Sequence, residues 1–217
     1  MLEIIYQDEY IIAINKPSGL LSIPDGYTLD LPNLQSLLKK EIGPVWTVHR
    51  LDKDTSGAIL FAFSAFAHRE MSLLYEHRKV EKNYRALVHG PKIETRFVID
   101  QPLRVNGDRH HRTVIDPING KPAQTEVILQ KQLDSAAIID AFPRTGYTHQ
   151  IRAHLAYHGI PIVNDALYGG KSSSKPIPFP TDRLMLHAVK ISFIHPFSGQ
   201  HTEITAPFPP ELADLAI

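Results

Sequence analysis

The apolar positions of this chain change period from segment to segment, and the changes mark out its elements. "EIIYQ" and "YIIAIN", on either side of Asp8 and Glu9, are β-branched runs that predict a hairpin. "NKPSGLLSIPDG" is punctuated by Pro17, Gly19, Pro24 and Gly26 and reads as loop. In "NLQSLLKKEIGP", Leu34, Leu37, Leu38 and Ile42 recur at helical spacing, Asn33 stands where an N-cap belongs, and Gly43 and Pro44 end the run. "AILFAF" is short and continuously apolar, so it predicts a strand covered on both faces. Ser64 is placed to cap a following helix on which Ala67, Met71 and Leu74 share a face. "KNYRALVHG" alternates, with Tyr84, Ala86 and Val88 to one side and Arg85 and Leu87 to the other.

The second half keeps this rhythm. "RVNGDRHHR" is basic and turn-rich. "AQTEVILQK" and "AAIIDAF" form a strand pair, and "THQIRAHLAYHG" predicts a helix from Thr148 to a stop at Gly159. "KSSSKPIPFP" reads as a surface loop, "RLMLHAVKISFIHP" as a long strand, and "HTEITAP" as its partner. Strands outnumber helices and follow one another as hairpins, so the sheet is expected to be mixed or antiparallel. With no internal repeat and no linker, residues 1–217 are expected to form a single domain.

Composition narrows this little. A chain of 217 residues, 43% hydrophobic and 21% charged, builds a core without cross-links. It has no cysteine, which excludes disulfides and thiolate metal sites. No run approaches the roughly 20 apolar residues of a membrane helix, and the start lacks the basic region of a signal peptide, so a cytoplasmic address is expected. Formal net charge is zero, so a nucleic-acid site, if present, is a local patch.

One stretch stands out. "HRLDKDTSG" (49–57) sets two aspartates, an arginine, a lysine and a histidine directly before the apolar strand. "DKDTSG" looks like the start of a calcium loop, but the bidentate acid due at its end is Phe63. An aspartyl phosphotransferase needs further acids for magnesium, which do not follow, and a Walker loop is absent because Pro122 follows Gly120 and Lys121. His154 and His158 have zinc spacing, but the residues between them are Leu155, Ala156 and Tyr157, without the glutamate of H-E-x-x-H. Side chains of Asp54, Thr55 and Ser56 closing a turn, with Gly57 relieving the chain, account for those four residues. They do not account for Asp52.

With its surroundings, the stretch resembles the H-R-L-D-x-x-T-S-G motif of the RluA family of RNA pseudouridine synthases. "NKPSGLLSIP" is similar to the family's opening loop, "EKNYRALVHG" to its K-x-Y-x-A-x-V-x-G strand, "GKPAQTE" to a segment of the RluA branch, and "TGYTHQIRAHLAYHGIPIVNDALYG" to its T-G-R-x-H-Q-[IL]-R-x-H-…-G-x-P-I-x-G-D-x-x-Y pattern. The resemblance covers nearly the whole chain.

The resemblance implies an α+β fold: a mixed, mainly antiparallel β-sheet with flanking helices and loops around a central cleft, without an S4 domain. It implies isomerisation of uridine in rRNA or tRNA stem-loops, with no cofactor and no metal; a monomer that binds neither DNA nor membrane is expected. Asp52 matches the catalytic aspartate, whether it attacks C1′ or C6 or assists glycal formation. Arg152 matches the arginine that pairs with it, a cation favouring a charged carboxylate. Tyr84 matches the active-site tyrosine, and Leu186 a position lining the base. Arg50 matches an arginine that helps hold the flipped base out of the stack. Arg109 and Arg112, with the histidines between them, are expected to grip flanking phosphates, and His149 to face substrate. Two positions depart from the family. Tyr147 replaces the arginine of T-G-R and is expected to stack on a base instead, and Asn164 replaces the glycine of P-I-x-G-D. The competing readings are a non-catalytic RNA-binding relative and a carboxylate-dependent phosphohydrolase.

Overall fold

The first two β-branched runs pair because Asp8 closes the turn between them: its Oδ1 accepts the N–H groups of Tyr10 at 2.7 Å and Ile11 at 2.8 Å. The computed structural model describes residues 2–215 except 27, 29, 91 and 170–181, so the predicted "KSSSKPIPFP" loop lies outside the described residues. Strands β1 (Ile4–Gln7) and β2 (Ile11–Lys16) are antiparallel. Helix α1 (Leu34–Ile42) starts where Asn33 accepts from the Ser36 N–H and ends at Gly43, whose φ is +98°. Its apolar face is narrower than predicted. Leu34 and Leu38, one turn apart, are buried, while Leu37 and Ile42 lie on the flanks and are exposed. Strand β3 (Trp46–Thr47), too short to leave a pattern, pairs with β4 (Ser56–Ala62). Strand β4 also pairs with β2, and all seven of its residues are buried, as its unbroken apolar run predicts. Ser64 caps α2 (Ala65–Glu76) by accepting from the Ala67 N–H at 3.0 Å.

The chain continues through β5 (Glu81–His89), β6 (Arg96–Asp100), β7 (Leu103–Arg104), β8 (Val114–Ile115), β9 (Gln124–Gln132) and β10 (Ala136–Pro143). Helix α3 (Gln150–Tyr157), β11 (Leu186–Ile194), β12 (His201–Thr205) and a short 3-10 helix (Pro210–Leu215) follow. The chain divides into two compact units, Met1–Lys82 with Ala188–Pro207, and Asn83–His187 with Phe208–Ile217.

In the first unit the strand order is β1-β2-β4-β11, with β12 on the long strand as predicted. Ile11, Ala13, Leu60, Met71, Ile191, Phe193 and Ile204 meet in its core. Gly57 is fixed there by space and by conformation. Its φ is +111°, and a Cβ at this position would lie 2.2 Å from the Ala188 carbonyl oxygen. Gly57→Ala is therefore expected to destabilise the protein by roughly 3 kcal/mol or more. Gly26→Ala, where a Cβ meets nothing within 4 Å, is expected to be near neutral. Urea unfolding midpoints of the two variants check the difference.

In the second unit β5, β10, β9 and β6 form an antiparallel series, and β7 pairs with β8 in a separate hairpin. Arg85 on β5 forks Asp140 on β10 with Nε–Oδ1 at 2.8 Å and Nη2–Oδ2 at 3.1 Å, and Gln130 adds a donor at 3.0 Å. The fold is α+β, and the β1–β2, β2–β4, β3–β4, β5–β10, β9–β10, β6–β9, β7–β8 and β11–β12 ladders are antiparallel. Helix α3 begins two residues later than its pattern suggested. His149 has φ +56°, so the helix forms only from Gln150.

Candidate active site

The loop that carries Asp52 is gripped on its backbone by the opening loop. Lys16, fully buried at the end of β2, donates from Nζ to the carbonyls of Pro17 at 3.0 Å, Leu20 at 2.7 Å and Lys53 at 2.9 Å. The Gly19 N–H donates to the same Lys53 carbonyl at 2.9 Å, and the Ser18 hydroxyl donates to that of Asp54 at 2.7 Å. Ser22 donates to the Leu51 carbonyl at 2.7 Å and accepts the Leu51 N–H at 3.1 Å. A turn closes within, from the Thr55 N–H to the Asp52 carbonyl at 3.2 Å. The main chain is thus held on both sides of Asp52, whose residue is part-buried, while Arg50 is exposed. Lys16, Ser18 and Ser22 were legible only as members of the opening loop, because the carbonyls they reach in the Asp52 loop lie 37, 36 and 29 residues away and leave no local signal.

His49 supports the same loop. Its Nε2 accepts the Leu60 N–H at 3.0 Å, just beyond the β3–β4 pairing, and its ring stacks on Tyr75 at 4.8 Å. Burial, helped by the Lys82 charge and opposed by a backbone bond at Arg50, pushes its pKa down to about 3, so the imidazole stays neutral and keeps this acceptor. Lys82 is itself lowered to about 8, by burial and by the nearby Arg78.

In the second unit, Arg152 on α3 forks Asp165 with Nε–Oδ2 and Nη2–Oδ1 both at 2.8 Å, and the carboxylate is fully buried. Asp165 Oδ1 also accepts the N–H groups of Leu167 and Tyr168, each at 3.0 Å. The Tyr168 ring lies against the guanidinium, 5.1 Å from Cζ to the centroid. Asp165 and Tyr168 were not singled out from sequence. The signal was present in "NDALYG", whose D-x-x-Y spacing is that of a carboxylate closing its own turn. Tyr84 and Leu186 join the core cluster that also holds Ile151 and Leu155 of α3: Leu186 is buried, and Tyr84 packs on the cluster half-buried.

Two further polar residues of α3, Gln150 and His154, are interior and bonded. Gln150 receives the Thr145 hydroxyl at 2.7 Å and donates to the Gln124 carbonyl at 3.0 Å. His154 is fully buried. Its Nε2 lies 3.0 Å from the Gln101 carbonyl and its Nδ1 2.8 Å from the Thr125 hydroxyl, so both ring nitrogens are engaged. His158 stays exposed and stacks on Phe97. Among the described residues no group of three or more His, Cys, Asp or Glu gathers as a metal site requires.

The basic loop between β7 and β8 is organised by Asp108, which accepts the N–H groups of His110 and Arg112 and the Arg112 Nε at 2.7 Å. These bonds, the Arg112 backbone first, hold its carboxyl at about 2. Arg112 also donates to the Leu167 carbonyl at 3.2 Å, while Arg109 is exposed and reaches its neighbour His110 at 3.3 Å. Tyr147 is packed half-buried in a small cluster with Leu103, Ala123, Ala153, Ile115 and Tyr168. His149 Nδ1 lies 3.1 Å from the Tyr168 hydroxyl. Asn164 has φ +60°, a conformation that a glycine adopts freely and asparagine tolerates.

A family model described as RNA pseudouridylate synthase matches residues 10–157, more than half of the chain. The chain belongs to the RNA pseudouridine synthases. A dual-specificity RNA pseudouridine synthase RluA from Pasteurella multocida is 35% identical over 207 residues, 95% of this chain and 93% of the relative. The RluA of Escherichia coli K12 is 33% identical over the same shares. Ribosomal large subunit pseudouridine synthase C of Pasteurella multocida is 36% identical over 98% of this chain and 66% of its own length. Human RNA Pseudouridylate Synthase Domain Containing 1 superimposes with a TM-score of 0.79 at 29% identity, over 96% of this chain and 84% of that one. Membership makes this synthase an isomerase of uridine in RNA, as the motif resemblance implied, and it supports neither the phosphohydrolase nor the non-catalytic reading. Among the described residues no helix is long and apolar enough to cross a membrane.

Proposed function

We propose that this synthase isomerises a uridine in a stem-loop of ribosomal or transfer RNA, with Asp52 as the reacting carboxylate. Arg152 is its accompanying cation, and Tyr84 is the aromatic group that stacks on the uracil and assists proton removal. Leu186 lines the base, and Arg50 holds the flipped nucleotide out of the stack. Arg109, Arg112, Tyr147 and His149 contact the RNA, and Arg112 braces its own loop as it does so. The protein works as a cytoplasmic monomer, without cofactor or metal.

The observation that supports this reading most is the double-sided backbone grip on residues 51–54. In a member of this family, it preorganises Asp52, the carboxylate of the motif that the turn side chains do not account for. The names of the relatives support the choice of RNA, two being dual-specificity enzymes and one an enzyme of the large ribosomal subunit.

With zero net charge, recognition rests on contacts close to the reacting base rather than on a long-range field. A single protein-free stem-loop excised from the target RNA is expected to turn over, with a modest salt slope from a few phosphate contacts. Pseudouridine formation on excised hairpins, set against full-length rRNA and tRNA, tests this. Inert hairpins beside modified full-length RNA would show that recognition extends well beyond one stem-loop.

A further inference from the structure

Tyr168 has no role in the reading above, yet three contacts converge on it. The turn wound around Asp165 places its ring under the Arg152 guanidinium, whose Cζ lies 5.1 Å from the ring centroid. Its hydroxyl accepts the Thr113 N–H at 2.8 Å and lies 3.1 Å from His149 Nδ1. Which of the hydroxyl and Nδ1 donates is set by the tautomer of His149. Burial raises the Tyr168 pKa, against the opposing pull of the Thr113 bonds and Arg152, and favours the neutral phenol.

A bidentate carboxylate holds a guanidinium within one plane but leaves it free to hinge about the line between the two groups. A ring packed 5.1 Å from the guanidinium Cζ restricts that motion. We propose that Tyr168 is a positioning residue for the isomerisation, its ring restricting the Arg152 guanidinium by cation–π contact. This rests on the assignment of Arg152 to the reaction.

The test replaces Tyr168 by phenylalanine and then, by site-specific incorporation, by phenylalanines of increasing fluorination. These keep the shape of the ring and progressively cancel the negative potential of its face. Single-turnover pseudouridine formation and RNA Kd are measured on the same RNA. The Tyr168→Phe variant is expected to keep its rate within about threefold. The rate is then expected to fall stepwise, by at least about tenfold at full fluorination, with Kd within about threefold. A packing role would leave the rate flat across the series, and a flat rate, or a loss confined to Kd, overturns the proposal. Asp52→Asn and Arg152→Lys are run beside it. If they are inactive while the fluorinated series is flat, only the role of Tyr168 falls. If they turn over normally, the assignment beneath it falls too.

Discussion

Asp52→Asn is expected to bring pseudouridine formation below detection, a loss of at least about a thousandfold or about 4 kcal/mol of transition-state stabilisation. RNA affinity should stay within about tenfold, or about 1.4 kcal/mol. The substitution keeps size and removes charge and nucleophilicity. The fold should tolerate it, because the loop is held through the main chain of Leu51, Lys53 and Asp54 and its turn uses the Asp52 carbonyl, which asparagine retains. Single-turnover rates and RNA binding measured on one preparation separate chemistry from affinity. Near wild-type turnover would remove Asp52 from the reaction.

The second large effect is at Arg152, where the structure decides which substitution is informative. Arg152→Met strands the fully buried Asp165 carboxylate. Removing one partner of such a pair costs about 3–5 kcal/mol, so that variant reports on folding as much as on catalysis. Arg152→Lys leaves Asp165 a cation but no fork, because an ammonium is a point charge without the planar pair of donors. It is expected to lower the rate by at least about a hundredfold while RNA Kd moves less than about threefold and the protein stays folded. Thermal melts and single-turnover kinetics check both halves. A lysine variant that turns over within a few-fold of the parent would mean that the planar geometry of Arg152 is not used.

The legible parts of this protein are those whose cause is local. The Asn33 and Ser64 caps, the β1–β2 hairpin and the buried run of β4 each follow from side chains within a few residues of where they act. Strand β6, the β7–β8 pair and β3 left no signal, being short or only half-buried on one edge. The start of α3 was placed early because nothing in "YTHQ" announces a left-handed backbone at His149. The candidate site divides the same way. Asp52, Tyr84 and Arg152 were found through whole motifs. The residues that hold them, Lys16, Ser22, Asp165 and Tyr168, act across long sequence separations or read singly as ordinary loop chemistry.

The most direct measurement is a nucleotide-resolution pseudouridine map of rRNA and tRNA from cells with and without this protein, the deletion being complemented by the wild-type chain or by Asp52→Asn. At least one pseudouridine in a stem-loop is expected to vanish on deletion, to return with the wild-type chain and to stay absent with the asparagine variant. An unchanged map on deletion, or a site restored by Asp52→Asn, would contradict the assignment of this synthase to an Asp52-dependent isomerisation of structured RNA.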